Sequence, residues 1–196
     1  MTRFFDILFS FLGLIILSPI LAVAAICVKF GSKGSAFYKQ KRVGKYGKEF
    51  LLIKFRTMHI DADKRGLLTV GGRDPRITTT GYYLRKYKLD ELPQLWNVLI
   101  GDMSIVGPRP EVKRYTDLYT REQLHILDVR PGITDEASVK YRNENEILST
   151  QPDPEQYYII HVMPAKIELN RIYIQAPTIL NYFRIIFLTI GTIFKK

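Results

Sequence analysis

The stretch FFDILFSFLGLIILSPILAVAAICV, Phe4–Val28, decides what kind of molecule this chain is. Its 25 residues carry a single charge, Asp6. As a helix it measures roughly 37 Å, longer than the roughly 30 Å hydrocarbon core of a bilayer. Ser18-Pro19 stands inside it. Proline has no amide hydrogen and clashes with the preceding turn, so Ser18 and Pro19 predict a membrane kink. The pieces on either side would be roughly 22 and 14 Å, and neither spans alone. The Ser18 hydroxyl can serve a carbonyl left free by the proline, as a broken helix in lipid requires. Three readings stand side by side: a spanning anchor, a re-entrant hairpin that enters and leaves one face, and a cleaved signal peptide. Leu21-Ala22-Val23-Ala24-Ala25 supplies the small residues a signal peptidase needs, but only Arg3 precedes the apolar run, and Asp6 follows almost at once. Lys29, Lys33, Lys39, Lys41, Arg42 and Lys45 put the C-terminal flank on the cytoplasmic side, and Arg3 argues the same for the other flank.

The charge of the remaining chain is uneven. Of 196 residues, 46% are hydrophobic and 24% charged, with a net charge of +10. Residues 33–88 hold 15 Lys/Arg against 4 Asp/Glu, whereas residues 89–196 hold 12 against 14. A basic segment beside a near-neutral remainder calls for an anionic partner. Phe4–Val28 makes that partner a membrane surface or a phosphorylated substrate, with no nucleic acid expected. One cysteine, Cys27, excludes a disulfide framework, and the absence of Cys/His clusters excludes a structural zinc site. His59, His125 and His161 share no metal-ligand spacing. At the far end, Thr178–Phe194 is apolar with a polar stripe of Thr178, Asn181, Arg184, Gly191, Thr192 and Lys195. That pattern suits either a helix lying in the membrane interface or one packed on the protein's own core.

Between the ends the sequence predicts a small mixed domain. Ala36–Val43 and Glu49–Met58 read as a strand pair around the turn Gly44–Lys48, with Lys54 and Arg56 on one face. Gly71-Gly72-Arg73 could wrap a phosphate or be a plain surface loop. Thr80–Leu89 reads as a helix and a second begins near Asp90, with Pro93 in its first turn. Asp90 and Glu91 then stand at or just before a helix N-terminus. Ile105–Val106 reads as a short strand leading into Gly107-Pro108-Arg109-Pro110, where two prolines fix the backbone around one guanidinium. Arg130-Pro131-Gly132 makes another rigid basic turn, and a helix bent at Pro164 is expected to run to about Gln175.

The parts capable of chemistry are one carboxylate pair and a ring of cations. Adjacent Asp90 and Glu91 repel each other, so both ionise in a closed site only near a metal or several cations. Carboxylates with Mg²⁺ and Lys/Arg are what phosphoryl transfer needs. Taken alone, Asp90–Glu91 is equally a helix cap and a surface acid. Lys54, Arg56, Arg85, Arg109 and Arg130 are each equally headgroup contacts or a solvated face.

KLDELPQLWNVLIGDMSIVGPRPE (Lys88–Glu111) resembles the signature of bacterial sugar transferases, the monotopic polyprenyl-phosphate phosphoglycosyl transferases. FYKQKRVGKYGKEFLLIKFRTM (Phe37–Met58), DPRITTTGYYLRK (Asp74–Lys86) and VRPGIT (Val129–Thr134) are similar in order and spacing. The resemblance implies a helix-rich mixed α/β membrane-associated domain: residues 1–30 a re-entrant hairpin, residues 31–196 a catalytic domain on the cytoplasmic face of the bacterial inner membrane, and about 178–194 an interfacial helix. It implies transfer of a sugar 1-phosphate from a UDP-sugar to a polyprenyl phosphate, with release of UMP. It further implies a covalent phosphosugar on Asp90, assistance from Glu91, and Mg²⁺ held by Asp90 and the diphosphate. Arg85 matches a phosphate-contacting residue, Pro108, Arg109 and Pro110 a nucleotide-binding segment, and Lys54, Arg56 and Arg130 basic motif positions. A homodimer is compatible with it. The chain resembles the minimal catalytic form of the family, and the rival expectation is a non-catalytic membrane accessory protein that binds polyprenyl phosphate. Asp135-Glu136-Ala137-Ser138 replaces the glycine that many members carry after Thr134, a departure that bears on the identity of the sugar rather than on the reaction.

Overall fold

A computed structural model describes residues 2–62, 66, 68–71 and 74–194. The first element, α1 (Thr2–Gly31), is a single 30-residue helix with Pro19 inside it. The helix includes residues on both sides of Ser18-Pro19. Ser18 Oγ donates to the Ile15 carbonyl at 2.8 Å, the acceptor that Pro19 cannot serve, so the helix carries on through the proline. Burial along α1 is confined to its two ends: Asp6 and Ser10 near the start, Ala24 and Val28 near the finish. Between them Phe11, Leu12, Ile15, Ile16 and Ile20 are exposed.

After α1 the chain forms the hairpin β1 (Phe37–Val43) and β2 (Glu49–Phe55), paired antiparallel from Phe37–Phe55 to Val43–Glu49. Its turn takes Tyr46 and Gly47 through positive φ, where glycine alone carries no steric cost. β2 ends three residues before the expected Met58, because Thr57 and Met58 turn away to bond Thr78 and Ile77. Phe55 is fully buried with Ala24, Val28 and Leu84, which fastens the C-terminal end of α1 to the hairpin. Helix α2 (Thr79–Lys86) is capped by Thr78, whose hydroxyl accepts from Gly81 N. A 3₁₀ turn (Leu89–Glu91) and α3 (Gln94–Ile100) follow. α3 runs along α1, bringing Leu95 close to Gly13.

The second half is built around a short parallel pair, β3 (Ser104–Val106) and β4 (Gly132–Thr134), with the small helix α4 (Lys113–Thr116) between them in sequence. Gly107 and Gly132 press backbone to backbone there, and a β-carbon on either would collide with the other's strand. Next come α5 (Glu136–Lys140), α6 (Glu144–Ser149), α7 (Pro154–Tyr157), α8 (Met163–Gln175) and α9 (Ile179–Phe194). The bend foreseen at Pro164 takes the form of a π-turn, Tyr158–Val162, which leads into α8 with Pro164 in its first turn. The largest apolar cluster joins Val112 and Tyr115 to Leu148, Tyr158, Val162, Met163 and Ile167. On α9, Tyr182 and Ile185 are fully buried, in a cluster that also takes in Phe5 and Phe9 of α1. Leu180, Phe187, Leu188 and Ile190 on the same helix are exposed. One apolar strip of the helix therefore packs on the protein's own core, while another stays bare. Gly72, Arg73 and Lys195, named above for a phosphate loop and the polar stripe, lie outside the described residues.

Candidate active site

Three successive elements bring the expected cations and carboxylates together. β2 carries Lys54, α2 carries Arg85 near its end, and the 3₁₀ turn carries Asp90 and Glu91. The chain passes from α2 into that turn through Lys88, held at φ 56, a left-handed conformation that few non-glycine residues adopt. Asp90 is buried, and no described residue donates a hydrogen bond to its carboxylate. Burial first, and the neighbouring Glu91 second, push its pKa upward, while Arg85, Lys54 and Lys88 pull the other way. Arg85 is aimed by two threonines: its Nε donates to Thr57 Oγ1 at 2.9 Å and its Nη1 to Thr69 Oγ1 at 3.2 Å. Burial lowers Lys54 to about 8, aided by Arg42 and opposed by Glu91.

Glu91 is committed elsewhere. Both its oxygens accept from the terminal nitrogens of Arg109, one at 3.1 Å and the other closer, in a fork-on-fork pair. Burial works against its charge, but Arg109, with Lys88 and Lys54 behind it, outweighs burial and holds the carboxyl at about 2.

The turn that presents Arg109 is itself pinned. Arg109 N donates to Asp135 Oδ2 at 3.0 Å, and Arg42 Nη1 donates to the Pro110 carbonyl at 2.9 Å. Glu111 lies 3.7 Å from Arg42 and accepts from the Tyr158 hydroxyl. Of these, Arg42, Glu111 and Tyr158 were not expected at the site from the sequence, whereas Asp135 entered only through the departure tied to the sugar. Only two had a usable signal: Glu111 closes the quoted motif, and Asp135 caps α5 by accepting from Ser138 N three residues on.

Two expected site residues lie elsewhere. Arg56 donates to the carbonyls of Val28, Ser32 and Lys33, so it closes the C-terminal end of α1. Arg130 Nε donates at 2.9 Å to the carbonyl of Gly101, the left-handed residue that ends α3. The carbonyls left free at a helix end attract guanidinium groups, and in both cases that attraction decides where the arginine goes. Arg130 thus serves the far end of α3, while Asp90 and Glu91 precede the near end. Its neighbours Val129 and Pro131 lie near Arg109. With Pro108, Arg109 and Pro110 they line an open cleft.

Among the described residues no three His, Cys, Asp or Glu side chains gather into a metal cage. With Glu91 taken by Arg109, the protein offers Asp90 alone. Mg²⁺ commonly binds through one or two carboxylates with substrate phosphates supplying the rest, so this donor set fits that ion if a diphosphate is present.

A family model described as bacterial sugar transferase matches residues 1–196. A putative undecaprenyl-phosphate N-acetylgalactosaminyl 1-phosphate transferase of Bacillus subtilis (strain 168) is 48% identical over 120 residues, covering 61% of this chain and 67% of that protein. The UDP-glucose:undecaprenyl-phosphate glucose-1-phosphate transferase of Klebsiella pneumoniae is 38% identical over 192 residues, 96% of this chain but 39% of the longer relative. The UDP-N-acetylgalactosamine-undecaprenyl-phosphate N-acetylgalactosaminephosphotransferase of Aeromonas hydrophila is 39% identical over 140 residues, 70% of this chain and 33% of that protein.

Proposed function

This chain belongs to the bacterial sugar transferase family, and from that membership we propose that it transfers a sugar 1-phosphate from a UDP-sugar to undecaprenyl phosphate at the membrane surface, releasing UMP. The observation that carries the proposal is Asp90, a buried carboxylate accepting no hydrogen bond from the described residues and set among Lys54, Arg85 and the Arg109–Glu91 pair. A buried anion of this kind is kept for a reacting partner.

In the reaction proposed, a carboxylate oxygen of Asp90 attacks the β-phosphorus of the donor. The bond from that phosphorus to the bridging oxygen breaks, and UMP leaves with the oxygen. An oxygen of the lipid phosphate then attacks the same phosphorus, the bond to Asp90 breaks, and the carboxylate is restored. Two substitutions on one side chain let two differently placed substrates take turns. Arg85, fixed by Thr57 and Thr69, and Lys54, charged below about pH 8, offer preorganised positive charge to the phosphate oxygens. A Mg²⁺ ion held by Asp90 and the diphosphate would add charge neutralisation there. Glu91, its oxygens both occupied and its pKa near 2, is a poor proton acceptor, which favours a charge-organising role over deprotonation.

Helix α1 enters and leaves the membrane at one face in this reading. Its support is that both ends of the helix lie against the same globular body, while the apolar middle is exposed. The test is UMP release by the purified full chain supplied with undecaprenyl phosphate, Mg²⁺ and a panel of UDP-sugars. Asp90→Asn should remain folded and membrane-bound yet release no UMP above background. Normal turnover in that variant would refute the assignment.

A further inference from the structure

The cleft beside Arg109 has two lobes. Arg109, Glu111, Tyr119 and Ile126 contribute to both. The first lobe is otherwise walled largely by Val43, Val129 and the rings of Pro108, Pro110 and Pro131, a mainly apolar surface. The second adds Asp135, Tyr158, Lys166 and Asn170, with Met163 and Ile167 beside them.

Asn170 sets the second lobe apart. Its side chain is almost wholly enclosed, at 3% exposure, and its Nδ2 donates to Asp135 Oδ2 at 2.8 Å. Its Oδ1 finds no hydrogen-bond partner among the described residues. A buried amide oxygen left unpaired costs on the order of 1–3 kcal/mol, so a fold that retains one in a cleft wall holds an acceptor ready for an incoming donor. The same Asp135 carboxylate takes the backbone N–H of Arg109, so Asn170 and the arginine clamping Glu91 are set by one anchor. Lys166 and Glu144, paired at 2.8 Å, add an ammonium and a carboxylate close by.

We propose that this polar lobe is the sugar subsite of the donor, and that Asn170 and Lys166 are its specificity-determining residues. The proposal rests on the function proposed above. A pyrimidine ring is planar and suits the proline-walled lobe, where few polar groups are needed. A pyranose instead offers hydroxyl or acetamido N–H donors around its rim, and these are what an unpaired, buried carbonyl oxygen accepts. Asp135 opens the segment after Thr134 whose sequence departs from many relatives, which places that departure in the wall of this lobe.

The test compares the wild-type full chain with Asn170→Leu and Lys166→Met, all confirmed folded by circular dichroism. Affinities are measured by calorimetry for UDP and for whichever UDP-sugar the wild type converts. The expected result is that Asn170→Leu weakens the UDP-sugar about 5- to 100-fold while UDP stays within about twofold. Lys166→Met should show the same selectivity, and it carries the test if Asn170→Leu does not fold. Parallel weakening of UDP and UDP-sugar would overturn the proposal by making the lobe a nucleotide site or a scaffold, and unchanged affinities would overturn it outright. A wild type that converts no UDP-sugar and binds neither ligand would instead remove the donor assignment itself, a failure visible before any variant is made.

Discussion

The lysine on β2 gives the most direct pH signature. A base lowered to about 8 is charged below that pH and neutral above it, so the attraction of Lys54 for a diphosphate is present at neutral pH and fades as pH rises through about 8. The apparent kcat/KM for the UDP-sugar should therefore fall on the alkaline side with a midpoint near 8. Lys54→Arg, whose guanidinium stays charged, should flatten that limb even if it lowers the maximum. A limb unchanged in Lys54→Arg would assign the titration to another group. The Glu91–Arg109 pair makes a different forecast. If Glu91 acts only by holding Arg109, removing either partner undoes the same arrangement. Glu91→Gln and Arg109→Gln should then each cost roughly 10- to 100-fold in kcat/KM, and the double variant no more than the worse single. Costs that multiply would instead give Glu91 a task of its own.

Among the elements, the β3–β4 pair bears most on the site, and beforehand only its first strand was legible, not its partner or the pairing. Each strand has three residues and the pairing joins Ser104 to Gly132, so no local periodicity announces it. What fixes it is the close approach of Gly107 and Gly132, with Gly107 N bonded to Thr134 O at 3.0 Å and Gly132 N to Pro108 O at 2.9 Å. Gly132→Ala would drive a β-carbon into that backbone and should destabilise the protein by about 1–3 kcal/mol or more. Because the pair also sets the two proline turns side by side, donor KM should rise as well, read from thermal melts and initial rates together. The hairpin, by contrast, was legible from its alternation and its glycine-flanked turn, both of them local signals. Arg56 and Arg130 show where such signals stop. Strand parity says which face a side chain takes but not which helix ends there, and each arginine went to a set of free carbonyls contributed by a segment distant in sequence. The same limit hid the Glu91–Arg109 pair, since nothing local to either residue specifies a partner 18 positions away. The dyad itself stood out only through its resemblance to a known signature.

Across the whole molecule, α1 is tied down at both ends to one body. Arg3 donates to the carbonyls of Val98 at 2.6 Å and Leu99 at 3.0 Å, closing the end of α3. One turn on, Asp6 Oδ1 accepts from Ser104 Oγ, Ile105 N and the Tyr182 hydroxyl, each at 2.9 Å, joining the first helix to β3 and to α9. At the other end Val28 lies in the core with Phe55, and Arg56 caps the helix. A straight span would put these ends in opposite aqueous compartments, roughly 45 Å apart along the axis, and would tear one set of contacts from the domain. Cutting both sets loose would strand the buried carboxylate of Asp6 and the guanidinium of Arg3 without the partners that offset their desolvation. The re-entrant course proposed above keeps both sets of contacts and lets the exposed apolar middle meet lipid from one side. In a Cys27→Ser background, a thiol introduced as Thr2→Cys should therefore resist a membrane-impermeant maleimide added to intact cells and react fully once the membrane is opened. Equal labelling before and after opening would place Thr2 outside and require α1 to cross. In that event Arg3 and Asp6 could not hold the partners they have here, and Asp6→Ala, expected to destabilise the domain if the ends are shared, would leave its melting temperature unchanged.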